Sequence, residues 1–283
     1  MVNIGSLCSK MNVRNPYGPI IIHFIVRNFM CMILKNKYEK NMTIKTLIIY
    51  VQIVVHIFVG LICIIFFPIL KIKYRNKVIK FWCSSLLKII SVKVSIKNFK
   101  DVRLKNVLFM ANHISWLDII LINSIKPSIF VAKSSVRNWP IFGLMASACN
   151  TIFLNRSSRN SIVEVTSIIK KNINTNSVFI FPEGTSTLGL SVGKFHSNFF
   201  QVAVDLNKSI YPVCICYRKN KIFTDIPGYV GDDTLIESIV KIVNSGGFEA
   251  RVTFCNKILS RKLNRKELAL KTQETIKSHL NQD

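Results

Sequence analysis

The sequence predicts an α/β fold, a central mixed sheet covered by helices, preceded by an N-terminal membrane-embedded helical segment. Three observations lead there. Residues 46–70 run for 25 positions without a charge. From about residue 92, short β-rich runs alternate with helical ones, the pattern of a sheet sandwiched between helices. Charge is also uneven: residues 1–117 hold 18 Lys and Arg against two acids, Glu39 and Asp101, whereas the remainder holds 21 against 12.

Residues 1–41 read as a basic extension. Within it, 18–34 is apolar but broken by His23 and Arg27, as in an interfacial helix. A disordered extension is the other reading, and Met42 is an alternative start that would leave it untranslated. Residues 42–92 read as the anchoring part. Crossing the hydrocarbon core takes about 20 apolar residues, so 46–70 suffices with some tilt. Lys45 flanks one end and Lys71, Lys73, Arg75, Lys77 and Lys80 the other. The denser basic flank places the C-terminal side in the cytoplasm; hairpin-like or monotopic insertion is the alternative. A cleaved signal peptide is not expected, because the apolar core is too long and no small-residue cleavage site follows. Residues 78–92 space apolar side chains at helical period opposite Lys80 and Lys88. That suits either an amphipathic membrane-hugging helix or a surface helix packed on the domain. Residues 93–283 form the α/β domain. Strands are expected at 92–96, 107–111, 129–132, 151–154, 177–181, 210–216 and 250–255. Helices are expected at 116–125, 141–148, 161–173, 195–205, 234–243 and 265–280.

The chain of 283 residues is 49% hydrophobic and carries a formal net charge of +25. Its mean hydropathy is +0.33. A disordered basic tail is excluded, because such tails are poor in apolar residues. Charge and hydrophobicity together suit an anionic membrane surface, where each nearby Lys or Arg adds about 1 kcal/mol. Nucleic acid is the other partner such a charge suits. No RNA- or DNA-binding motif is present, and aromatic and basic residues do not interleave. A transporter fails on topology, with one convincing span and the rest α/β. The eight cysteines are scattered without a CxxC pair, as free thiols of a reducing compartment are. Cys214 and Cys216 share a strand face, but no further ligands have matching spacing, so no metal is expected.

Two constellations carry chemistry. Asn112-His113-Ile114-Ser115-Trp116-Leu117-Asp118 follows the strand VLFMA. At a strand-to-helix turn, His and Asp five apart can set a carboxylate against one imidazole nitrogen and leave the other free as a base. A satisfied turn histidine is the bland alternative. Phe181-Pro182-Glu183-Gly184-Thr185 follows the strand SVFIF. Pro182 stops the strand, Gly184 permits close backbone approach to a ligand, and Glu183 is presented at the strand's C-terminal edge, where α/β sheets place their sites. His56 and His196 are expected to be bystanders.

Together these residues resemble the glycerolipid acyltransferases, specifically the lysophosphatidate (1-acyl-sn-glycerol-3-phosphate) acyltransferases. The family's N-H-x4-D is matched by Asn112, His113 and Asp118. Its second motif falls on Asn150-Thr151-Ile152-Phe153-Leu154-Asn155-Arg156, its third on Phe181 to Thr185, and its fourth on Ile210-Tyr211-Pro212-Val213-Cys214-Ile215-Cys216-Tyr217. Phe130 to Lys133 and Trp139-Pro140-Ile141-Phe142-Gly143 also look like the family, and the likeness covers about residues 85–255. Two positions depart: Asn150 stands where the second motif opens with glycine, and Ser186 where arginine often follows F-P-E-G-T. The GTSTLG run looks closer to a subgroup that includes lyso-ornithine-lipid acyltransferases. The resemblance implies that His113 takes the proton of an acceptor hydroxyl, which attacks an acyl thioester, with Asp118 orienting His113. Arg156 would bind phosphate bidentately, with Lys133 second, and Glu183, Gly184 and Thr185 would position substrate. It also implies a thioester of acyl carrier protein or coenzyme A as co-substrate, no other cofactor, a lysophospholipid acceptor and anionic membrane lipid as partner. The location expected is a bacterial inner membrane, with the catalytic domain on the cytoplasmic side. Other lyso-acceptors, glycerol 3-phosphate, and a non-catalytic basic membrane-anchored module are the alternatives.

Overall fold

The computed structural model describes residues 43–98, 106–155 and 161–282; the extension 1–41 and Arg156 lie outside them. Its first element, α1 (Ile44–Ile65), opens where the Thr43 hydroxyl accepts the Thr46 N–H and closes into a 3-10 turn, Phe67–Ile69, whose first turn holds Pro68. Among the described residues, α1 alone is long and apolar enough to cross a membrane. It packs on α2 (Ile72–Ile89) through one face only. Tyr50, Ile53 and Gly60 are buried, while Ile44, Ile48, Val51, Val55, Val59 and Ile62 form an exposed apolar stripe. The two helices are clasped reciprocally: His56 Nε2 bonds the Trp82 carbonyl at 2.9 Å, and Trp82 Nε1 donates to the His56 carbonyl at 3.0 Å. Helix α2 buries Trp82, Cys83, Leu86 and Leu87 and leaves Phe81 exposed, so it is packed on the domain through one face.

Strands β1 (Val92–Lys97), β2 (Leu108–Ala111), β3 (Ile129–Lys133), β4 (Ile152–Leu154), β5 (Val178–Ile180), β6 (Ile210–Lys219), β7 (Ile222–Phe223) and β8 (Phe248–Phe254) form one sheet. Its order is β1-β8-β6-β2-β5-β3-β4, with β7 beside β6. The five strands β6, β2, β5, β3 and β4 are mutually parallel. Strand β8 runs antiparallel to β6 and parallel to β1, which makes the sheet mixed. Alternation sorts the core into two layers. Phe109, Ala111, Phe179, Val213, Ile215 and Tyr217 face α1, α2, α3 (Leu117–Ile125) and α7 (Leu235–Asn244). Leu108, Met110, Val178, Ile180 and Cys214 face α5 (Ser161–Asn172), α6 (Gln201–Asp205) and α8 (Arg265–Gln282). Helix α4 (Phe142–Ala148) sits beside α1.

Most expected elements stand within a few residues of their predicted ends. Strand β6 runs on to Lys219 and folds back into β7 through Asn220 and Lys221, both at positive φ (53° and 67°). A primed hairpin turn needs that geometry, but without a glycine it leaves little trace in sequence. The helix expected at 195–205 starts late, as a 3-10 turn at Ser197–Phe200. Phe195 is buried in the core, and the His196 N–H is committed to the Pro182 carbonyl at 2.9 Å.

Candidate active site

The site forms at the C-terminal ends of β2 and β5. Beyond Ala111, the Asn112 side chain replaces the next ladder step: its amide donates to the Ile215 carbonyl at 2.9 Å and accepts the Ile215 N–H at 2.8 Å. The chain then turns so that His113 Nδ1 lies 2.8 Å from Asp118 Oδ2. The same oxygen accepts the N–H groups of Ile114 (2.7 Å) and Ser115 (2.9 Å), and Oδ1 accepts the Tyr217 hydroxyl at 2.6 Å. Asp118 is fully buried in the first turn of α3, where the helix dipole favours a carboxylate. With a carboxylate on Nδ1, that nitrogen carries the proton, and Nε2 of the neutral ring keeps its lone pair. Nε2 has no partner among the described residues. The ring stacks on Phe181, with centroids 4.2 Å apart.

Glu183 supports this loop from behind. Oε1 accepts the His113 N–H at 2.8 Å and Oε2 the Gly193 N–H at 3.0 Å. Burial pushes its carboxyl up from the ordinary value; the two amide bonds pull the other way. Thr187 closes the loop from the other side, its N–H and hydroxyl both donating to the His113 carbonyl. Two glycines are needed here. Gly184 sits at φ 72°, and a Cβ on Gly193 would lie 2.5 Å from Glu183 Oε2.

His113 opens onto a cavity of about 440 Å³ between the sheet edge and the N-terminal helices, within the range of small-molecule sites. Gly60 and Cys63 of α1, Phe67 of the 3-10 turn that follows it, and Val78, Trp82 and Cys83 of α2 form one wall; Phe130, Lys133, Phe142, Met145, Phe181, Gly184 and Thr185 lie on the other sides. Its lining is mostly apolar. Two cavity thiols are held protonated by burial: Cys149 is pushed up to about 11, and Cys83 is raised well above its ordinary value. Neither is an activated nucleophile. No group of three His, Cys, Asp or Glu among the described residues is placed to hold a metal ion.

Of the residues singled out in sequence, His113, Lys133, Gly184 and Thr185 line this one cavity, with Asp118 directly behind His113. Both Glu183 oxygens are bonded to main-chain amides and the side chain is buried, so it frames His113 instead of facing the cavity. Ser186 donates to the Tyr229 carbonyl, and Tyr229 lines the mouth. His196 lies outside the cavity lining, and His56 serves the α1–α2 clasp. Sequence reading assigned no role to Gly193, Tyr217, Phe181 or Thr187 at the histidine, nor to Gly60 and Trp82 in the cavity wall. Tyr217 closes the fourth motif and Phe181 opens the third, so both carry a visible signal; the others contribute through main-chain bonds or long-range packing.

Comparison with known proteins places the chain among acyltransferases. Residues 92–216 match the Acyltransferase family. The chain is 31% identical over 175 residues to the 1-acyl-sn-glycerol-3-phosphate acyltransferase of Neisseria meningitidis, covering 61% of this chain and 68% of that protein. It is 28% identical over 203 residues to the lyso-ornithine lipid O-acyltransferase of Pseudomonas aeruginosa, covering 72% and 78%. The fold is similar to the crystal structure of the 1-acyl-sn-glycerophosphate acyltransferase PlsC from Thermotoga maritima, with a TM-score of 0.65 at 20% identity, over 89% of this chain and 97% of that one. With a His–Asp pair at the expected strand end and a relative matched over two thirds of its length, the chain belongs to the acyltransferase family of the 1-acyl-sn-glycerol-3-phosphate acyltransferases.

Proposed function

We propose that this protein moves a fatty acyl group from a thioester of acyl carrier protein or coenzyme A to the free hydroxyl of 1-acyl-glycerol 3-phosphate, giving phosphatidate. The observation that carries this reading is the His113–Asp118 pair at 2.8 Å, with Nε2 open to an apolar cavity of about 440 Å³. Nε2 takes the hydroxyl proton as the oxygen attacks the thioester carbonyl. The C–S bond then breaks, and the leaving thiolate takes the proton from the imidazolium. Asp118 keeps the ring in the required tautomer and balances its transient charge. The apolar walls suit an acyl chain, while Lys133, Thr185 and Arg156 are assigned to the acceptor's phosphate side; Arg156 lies outside the described residues.

Attachment to the membrane rests on α1. One face of that helix is committed to protein, and the apolar stripe from Ile44 to Ile62 is left for lipid. This favours a helix lying in the membrane with the domain beneath it over one surrounded by lipid on every side. The cytoplasmic side is assigned from the basic residues after Leu70.

A second acceptor has a specific observation behind it. Ser186 stands where an arginine is common in the family, and its hydroxyl is committed to the Tyr229 carbonyl. One phosphate contact is therefore missing, as an acceptor such as lyso-ornithine lipid would tolerate. The test is acyl transfer in membranes bearing wild type or His113→Ala, with labelled thioester and each acceptor in turn. Turnover of lysophosphatidate that vanishes in the variant supports the main reading. Turnover of lyso-ornithine lipid alone moves the acceptor and keeps the mechanism. Equal turnover in variant and wild type, or none with either acceptor, rejects catalysis at His113 in favour of a binding module.

A further inference from the structure

We propose that Tyr217 is a positioning residue for this transfer: its phenol clamps the Asp118 oxygen that His113 does not use, and thereby sets how strongly the carboxylate holds the imidazole. The inference rests on the functional reading above. Asp118 has two oxygens with different loads. Oδ2 takes His113 Nδ1 and two main-chain N–H groups; the Tyr217 hydroxyl, at 2.6 Å, is the donor to Oδ1 among the described residues. Both side chains are fully buried, so no water can replace the phenol.

Tyr217 is delivered rigidly. It lies on β6, which is paired to β2 on one side and to β8 on the other. Two residues earlier, the paired Asn112–Ile215 bonds fix the spacing between β6 and the histidine loop. The edge of Phe248 meets the Tyr217 ring at 84°. Burial, and then the Asp118 charge, hold the phenol's pKa well above its ordinary value, so it remains a donor across the working range. The other titratable group beside this cluster is Glu183, from the loop after β5; the Cys216 thiol, on the opposite face of β6, also raises the Tyr217 phenol.

Removing the phenolic hydroxyl concentrates the carboxylate's charge on Oδ2 and frees it to rotate. The imidazolium is then held more tightly, and a neutral base is available only at higher pH. Tyr217 does not line the cavity, so substrate binding should be spared.

The full-length protein in membranes would be compared as wild type, Tyr217→Phe, Tyr217 replaced by 3-fluorotyrosine, and Cys214→Ala. The last lightens the opposite face of the same strand without touching the bond. In Tyr217→Phe, kcat is expected to fall about tenfold, as for loss of a hydrogen bond to a charged group. KM should stay within about twofold, and the acid limb of kcat should move up by roughly half a pH unit or more. Fluorotyrosine, a stronger donor, should move that limb down; Cys214→Ala should lower Tm and leave the limb in place. A folded Tyr217→Phe with wild-type kcat and pH profile overturns the proposal, as does a Cys214→Ala that reproduces its profile. If Tyr217→Phe does not fold, an unmoved limb in the fluorotyrosine protein overturns it instead. Wild type without turnover counts against the functional reading alone. The clamp is then judged by the NMR titration of the His113 ring, which must differ between wild type and whichever Tyr217 variant folds.

Discussion

The loop after β2 and the rim formed by the ends of β3 and β5 border the same cavity but are built oppositely. In the loop, Asn112, His113 Nδ1, Asp118 and the supporting Glu183 are all bonded, and the groups involved come from four separate stretches of chain. On the rim, Lys133 and Thr185 are exposed, and the Thr185 hydroxyl reaches only the Ser186 carbonyl, at 3.5 Å. A base must be held in one orientation and one tautomer, which takes buried, fully satisfied polar groups. Acceptor contacts can sit in solvent and change without disturbing the fold. On the proposed reading, the reaction type is written into the core and acceptor choice into the surface.

The largest effect should break the fixed side. His113→Ala should lower kcat by about 10²–10⁴-fold, the usual share of a general base, with Tm little changed because the ring is partly exposed; labelled acyl transfer and thermal melts check both. Asp118→Asn should follow, at about 10³-fold in kcat, since an amide cannot accept from four donors and favours the wrong tautomer. Isotope-edited NMR of the His113 ring would show that change directly.

Glu183→Gln sharpens the contrast between chemistry and scaffold. One main-chain N–H would lose its acceptor, costing about 2 kcal/mol, or roughly 4–8 °C in Tm. The pH dependence has a definite sign. Burial raises the folded-state value of Glu183, so the folded protein holds this proton more tightly than the unfolded chain does. Stability from this group is therefore greatest at the acid end and declines as pH rises from about 4.5 through the raised value. Wild-type Tm relative to Glu183→Gln should fall across that window; a flat difference would show that Glu183 is not strained by burial.

The smallest effect belongs to the rim. Lys133→Ala should raise acceptor KM about three- to tenfold with kcat and Tm unchanged, as expected for an exposed charge contact worth roughly 1 kcal/mol. A kcat loss matching that of His113→Ala would erase the distinction between loop and rim.

The apolar run that became α1, the order of strands and helices, and the spacing of His113 and Asp118 are all legible in the amino-acid sequence. Each is a local pattern: an uncharged stretch, period-two or period-3.6 alternation, or a fixed spacing across one turn. Tertiary structure alone decided what surrounds them. Tyr217 lies 99 residues from Asp118 and Gly193 ten from Glu183, and those contacts exist only once β6 pairs with β2 and the loop after β5 folds back. The same holds for the cavity wall. Nothing local in Gly60 or Trp82 points at His113, yet packing α1 and α2 on one face of the sheet brings them to its cavity. It also divides the apolar helix into a face buried in protein and a face left for lipid, because hydrophobic burial takes whichever surface the neighbouring elements can reach.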